Sequence, residues 1–402
     1  MIRLMILLTC CGIAIPAWGA APDTDAILSS GKFDEGVAAL EAHLKEQPKD
    51  DVSRLGLGVT QFVSAVQRLG QKMAVYGPRE PNFIFWPTPP LPAGVPAPAE
   101  PLTYPLLRKI NQEWLDDLAR IEATLAKNTS DEVKLPLHVG RVTMNLGTAE
   151  TRSLTLLPIL QQFRLGAAGR GADFVITFDR ADVDWLRGYC HLLSALSEMM
   201  LAYDGQELFD VAAHRLFQHA KTPHAFLLEP NRPPNDGWFQ FEDIADAVAM
   251  IHMLRFPLVE PKRMPTALGH IEQAMSLSRQ MWKRVLAETD NDHEWIPGPK
   301  QKGAINIPVT QEMVDNWLRA LDEAEQIVQG KKLIPFWRGK PTRGVNLRKV
   351  FLEPRQLDIV LWIQGTAATP YLEEGELTKP DTWQQINRAF GGQFVGFGMW
   401  FN

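Results

Sequence analysis

Four side chains between positions 182 and 191, Asp182, Asp184, Arg187 and His191, are of the types from which an acid–base site is built. On a helix, Asp184, Arg187 and His191 are separated by three and four residues, so they lie one above another on a single face. An aspartate there raises the basicity of the histidine, and the arginine is placed to hold an anion. The chemistry would be that of a hydrolase, with or without a metal. The same residues also suit a plain structural role. Asp179, Asp182 and Asp184 complement the positive end of the helix dipole, and Arg187 can pair with Asp184 or Asp182. That simpler role is the expectation adopted. Cys190 is expected as a small core residue, because nothing but the neighbouring His191 would activate it.

Other polar clusters carry weaker patterns. His214, His219 and His224 recur every five residues, which turns their rings about 140° apart on an ideal helix. Zinc pairs on one helix sit four apart, so no shared metal centre is expected. Asp290, Asp292 and Glu294 offer hard oxygen donors but lack the calcium-loop pattern with its central glycine and closing glutamate. They are expected as a solvated helix exit. The chain has no Gly-x-Ser-x-Gly elbow, no phosphate-cradling loop and no His-Glu-x-x-His. The glycines between Gly166 and Gly171 precede a strand-like segment instead of following one, the wrong context for a dinucleotide. Neither a cofactor nor a metal is expected.

The elements that must position these residues are mostly helical. Apolar spacing predicts helices within 24–76 and over 104–127, 152–166, 180–203, 207–219, 241–256, 265–289, 311–329, 355–364 and 380–390. Residues 133–146 alternate apolar and polar with Gly140-Arg141 between the halves, which predicts a short hairpin, and 173–179 reads as extended. Between Pro78 and Pro105 ten prolines exclude helix and sheet alike. Phe83, Phe85 and Trp86 sit inside that stretch, so it is expected as an ordered strap pinned by these aromatics, which are also the candidate partner-binding residues. The large apolar residues after 335, among them Phe336, Trp337, Phe351, Leu361, Trp362 and Tyr371, are expected to be buried against helices. The fold expected is mainly α, a helical bundle with repeat-like helix pairs and a small β-hairpin element.

The first residues decide the compartment. Arg3 precedes an apolar run from Leu4 to Ile15, Pro16 breaks it, and Ala17 to Ala21 supplies small residues for cleavage. This reads as a signal peptide over 1–21, followed by a helical segment over 22–77, the strap over 78–105 and a main domain over 106–402. Periplasmic or secreted localisation follows, with lipid attachment at Cys10 as the minor alternative. No other apolar run is long enough for an integral membrane segment. The formal net charge of -6 opposes nucleic-acid binding.

Two resemblances bear on the organisation. Gly31, Phe33, Gly36, Leu40, Leu44 and Pro48, then Leu55, Gly58 and Phe62, resemble the second helix of a tetratricopeptide repeat running into the next repeat. In that pattern the first glycine makes the turn, the phenylalanine packs between helices and the proline closes the unit. Gly36 stands where the pattern has alanine, and no second copy follows. The stretch from Phe178 to Leu193, with the Trp400-Phe401-Asn402 ending, is similar to an uncharacterised family of exported bacterial proteins, a likeness that implies no activity. The functional expectation is an exported helical scaffold or binding protein for a protein or peptide partner. The alternative is a secreted hydrolase using Asp182, Asp184, Arg187 and His191.

Overall fold

In a computed structural model the chain is described over residues 20–77, 100–145, 153–155, 173–229, 241–304 and 309–379, and at 383, 384 and 388. The protein is mainly helical with a few short antiparallel strands, in keeping with the expected class.

The chain opens with α1 (Thr24–Ser30), α2 (Phe33–Glu46) and α3 (Asp51–Ala74). Asp23 and Asp50 cap α1 and α3 by accepting from Ala26 N and Ser53 N, which satisfies amides the helix leaves free. Gly31 ends α1 at φ +70°, a conformation that side chains with a Cβ resist. At Gly36 a Cβ would come within 2.2 Å of Ile27 Cγ2, so only glycine lets α2 lie this close to α1. Next come α4 (Tyr104–Leu125), β1 (Lys134–Leu137), β2 (Thr143–Asn145), β3 (Ser153–Thr155) and β4 (Ile176–Asp179). They are followed by α5 (Arg180–Ala202), α6 (Gln206–Leu216), α7 (Phe241–His252), β5 (Arg255–Phe256), α8 (Arg263–Ala287) and α9 (Gln311–Val328). The last elements are β6 (Ile334–Pro335), β7 (Arg343–Val345), α10 (Leu347–Leu352), β8 (Leu357–Asp358), α11 (Ile359–Gln364) and β9 (Leu372–Glu374).

The long helices pack in succession, α2 on α3, α3 on α4, α4 on α5, α5 on α8 and α8 on α9, with α5 and α8 in contact along their length. One buried cluster runs through this array, from Leu28 and Phe33 through Leu118, Ile121 and Val183 to Trp282 and Val314. Burial of such side chains is what holds amphipathic helices in place. Helices at both ends of the proline-rich stretch therefore share a core. That stretch is also tied at its two ends to one strip of chain: Gln218 N and His219 N donate to Gly77 O and Tyr76 O, and Leu102 N donates to His219 O. Residues 78–99, including Phe83, Phe85 and Trp86, lie outside the described residues, as do 1–19.

Five expectations are corrected. The two halves of 133–146 do not pair with each other: β1 pairs with β4 (Lys134 opposite Asp179) and β2 with β3. Between them a 3-10 turn over Val139–Arg141 buries Val139 and carries the chain onward instead of back. Alternation identified the faces of these strands but not their partners. Within the helix expected over 152–166, residues 153–155 form β3. The helix expected over 241–256 stops at His252, and that expected over 355–364 begins only at Ile359, because Arg255–Phe256 and Leu357–Asp358 pair as strands. Finally, Phe351 and Tyr371 are buried, but Trp337 and Leu361 are exposed.

Candidate functional site

The capping of α5 fixes the local geometry. Asp179 accepts from Ala181 N at 2.7 Å, and Asp182 Oδ2 accepts from Asp179 N at 3.0 Å, a reciprocal cap. Two residues along a helix is a rotation of about 200°, so Asp182 and Asp184 leave α5 on opposite sides. The four sequence candidates are thereby divided between two clusters.

Asp184, Arg187 and His191 belong to a ladder of charges between α4, α5 and α8. Asp184 is 0% exposed. Its Oδ1 accepts from Arg180 Nη1 at 2.7 Å and its Oδ2 from Arg284 Nε at 2.9 Å, with Arg187 Nη1 3.6 Å away. Arg284 continues to Asp131. Arg187 directs Nε and Nη2 onto Glu122 Oε1 at 3.0 and 2.9 Å. His191 Nε2 lies 3.7 Å from the same oxygen, and its Nδ1 is 2.8 Å from His270 Nδ1. The nearby His191 ring and the Arg187 guanidinium hold Glu122 down at about 2. Burial, and then the charge on His191, keeps His270 below the ordinary histidine value. Farther along, Arg263 donates to Glu198 at 2.8 Å and to Glu260 at 2.6 Å, and Glu260 accepts from Arg108 at 2.5 Å. Arg108 also caps the end of α5 through the carbonyls of Leu201 and Tyr203. The Cys190 thiol is buried and pushed up by desolvation, as expected of a core residue.

Asp182 belongs to the second cluster, with Asp179, Glu288 and Glu294. Burial, followed by the charges of Asp179, Glu288 and Glu294, raises Asp182 well above the carboxylate range. Burial and the neighbouring Asp179 charge lift Glu288 to about 7. Asp179 and Glu294 are raised as well, each chiefly by desolvation. Glu288 and Asp179 share a hydrogen bond that favours charge on Asp179 and a proton on Glu288. Gln301 Nε2 donates to Glu288 Oε2 at 3.2 Å, and Glu294 Oε1 accepts from Asp292 N at 2.8 Å. Oxygens of Asp179, Glu288 and Glu294 lie within 4.8 Å of one another, the one such group of potential metal ligands among the described residues. An all-oxygen set suits a hard cation, with protons as competitors. Only Asp290 and Asp292 fit the solvated exit expected of this run, where they pair with Lys134; Glu294 is buried.

The three spaced histidines do not converge. His214 is buried against Asp246 of α7 at 3.4 Å, and His219 is held through its backbone in the strip under Tyr76 and Leu102. The missed partners, Glu122, Arg284 and His270, come from other helices, and no local spacing announces them. An open cleft of about 450 Å³ lies where the ladder meets the start of α8, lined by Glu198, Glu260, Lys262, Arg263 and Thr266. Comparison of the chain with protein families, with curated proteins and with solved structures finds no match to any of them.

Proposed function

We propose that this is an exported helical binding or scaffold protein that holds a protein or peptide partner and does no covalent chemistry on it. The observation that carries this reading is the state of Asp184: a fully buried carboxylate with two arginines bonded to it and a third close by. A general base must reach its substrate's proton, and this one is sealed. Arg187 and His191 are likewise engaged, with Glu122 and with the Glu122–His270 pair. What the ladder supplies is a stiff α4–α5–α8 frame, and the cleft at its end presents both signs of charge. There Lys262 is exposed and makes no ion pair among the described residues. The signal read over 1–21 and the tetratricopeptide-like stretch support an extracytoplasmic partner, and Phe83, Phe85 and Trp86 are its proposed second contact.

A thermal-shift screen of the mature chain against short peptides of differing charge tests this. The reading expects stabilising peptides whose effect falls with Lys262→Glu or with Phe85→Ala plus Trp86→Ala, while the peptide-free melting point stays put. Peptides cleaved by the wild type but not by His191→Ala would overturn it. Export is tested by sequencing the amino terminus of the protein recovered outside the cytoplasm, with cleavage expected near Ala21.

A second reading has one observation in its favour: Glu288, lifted to about 7 beside Asp179, is the type of protonated and ionised carboxyl pair that serves acid–base hydrolysis. It predicts an activity that Glu288→Gln abolishes and that Asp184→Asn changes only through stability.

A further inference from the structure

Helix α7 is built inside out. Its charged residue between 244 and 251, Asp246, turns inward to His214 at 3.4 Å and Arg215 at 3.7 Å. Ile244, Val248 and Ile251, spaced four and three apart, face solvent, Val248 with 61% exposure. The apolar surface continues past the helix. β5 and β8 pair with Arg255 opposite Asp358, and Ile359 N donates to Leu254 O at 2.9 Å, so α7 and α11 leave the same end of one ribbon. α11 carries no charged residue and exposes Val360, Leu361 and Ile363, the last at 71%. Beyond α11, a Cβ built on Gly365 would lie 3.5 Å from the Trp337 ring, which is itself 58% exposed. Trp337 is followed by exposed Arg338 and Lys340. Lys340 pairs with Glu374, whereas Arg338 makes no ion pair among the described residues.

We propose that the α7–α11–Trp337 face seats the protein peripherally on an anionic lipid surface. Uncharged apolar residues on two adjacent helices enter the boundary between headgroups and acyl chains. Tryptophan is the side chain that favours that boundary, and the Arg338 guanidinium beside it, which makes no ion pair among the described residues, matches phosphate headgroups in charge. No helix among the described residues is long and apolar enough to cross a membrane, so the attachment is to one leaflet. The proposal does not depend on the cleft at α8.

The test is co-sedimentation of the mature full chain with vesicles of phosphatidylcholine alone or mixed with phosphatidylglycerol, with light scattering of the free protein. The expected result is binding to the mixed vesicles, weakened by salt. Val248→Asp plus Ile363→Asp should cut the ratio of bound to free protein about tenfold or more. Trp337→Ala plus Arg338→Glu, on a loop, should act in the same direction and keeps the test sharp if the helix variants misfold. The proposal is overturned if the wild type stays in the supernatant with both vesicles, if it binds both equally, or if either variant pair binds as the wild type does. It is equally overturned if the free protein is a dimer that Ile363→Asp dissociates, which would make this face an interface between copies.

Discussion

Replacing Glu288 by glutamine should change how stability depends on pH more than it changes the fold. The free carboxyl titrates near 4.5 and the folded one at about 7, so folding holds a proton that the unfolded chain releases. Below 4.5 both states are protonated and the site costs nothing extra. As pH rises toward 7 the unfolded chain ionises first, and the stability associated with Glu288 is lost until the folded group ionises too. The full shift corresponds to about 3 kcal/mol, and because Glu288 is only half-buried, solvent screening reduces the expected effect to about 1–2 kcal/mol. Glutamine has no such transition. Its carbonyl can accept from Gln301, and its amide can donate to Asp179. The wild type and Glu288→Gln would be unfolded in urea at several pH values across this window, following helix content. The variant should gain about 1–2 kcal/mol on the wild type between the acid and alkaline ends of the window. Parallel stability curves would refute the shared proton.

Further perturbations test other parts of the account. Glu122 is held at about 2 by His191 and Arg187, so its contribution is present above 4.5 and fades as pH falls toward 2. Glu122→Gln should therefore destabilise the protein by about 1–2 kcal/mol at neutral pH and progressively less in acid, as read by urea midpoints. Gly36→Ala places a methyl against Ile27, 2.2 Å from Cγ2 before relaxation, and should cost about 1–3 kcal/mol in chemical denaturation. Ile27→Ala in the same chain should recover part of that loss. Asp184→Ala leaves Arg180 and Arg284 without their buried acceptor, and a loss of about 3–5 kcal/mol is expected, measured where the wild type unfolds in two states.

Much of the helical framework was legible because its signals are local. The periodicity of α4, α5 and α9 places their ends within a few residues of those observed. The polar face of α5 was legible too, since Asp184, Arg187 and His191 do line one side. What that face meets was not. Glu122 lies on α4, and His270 and Arg284 on α8, brought in by packing that spacing along α5 cannot reveal. Glu288 and Glu294 were hidden for the same reason: their proximity to Asp179 depends on how the chain turns after α8. Strand pairing failed in a related way, since β1 and β4 are far apart in sequence and the alternation in each is silent about its partner. Trp337 and Leu361 defeated the rule that large apolar residues are buried, and they belong to the exposed face proposed to meet lipid.

The polar side of α5 fastens α4 and α8 to it. A double-mutant cycle with Asp184→Asn and Arg284→Met, read by urea unfolding, tests that most directly. A coupling of about 1–2 kcal/mol is predicted from the 2.9 Å part-buried contact between Arg284 Nε and Asp184 Oδ2. Near-neutral single variants with no coupling would contradict it, and would return Asp184 to the list of residues free to do chemistry.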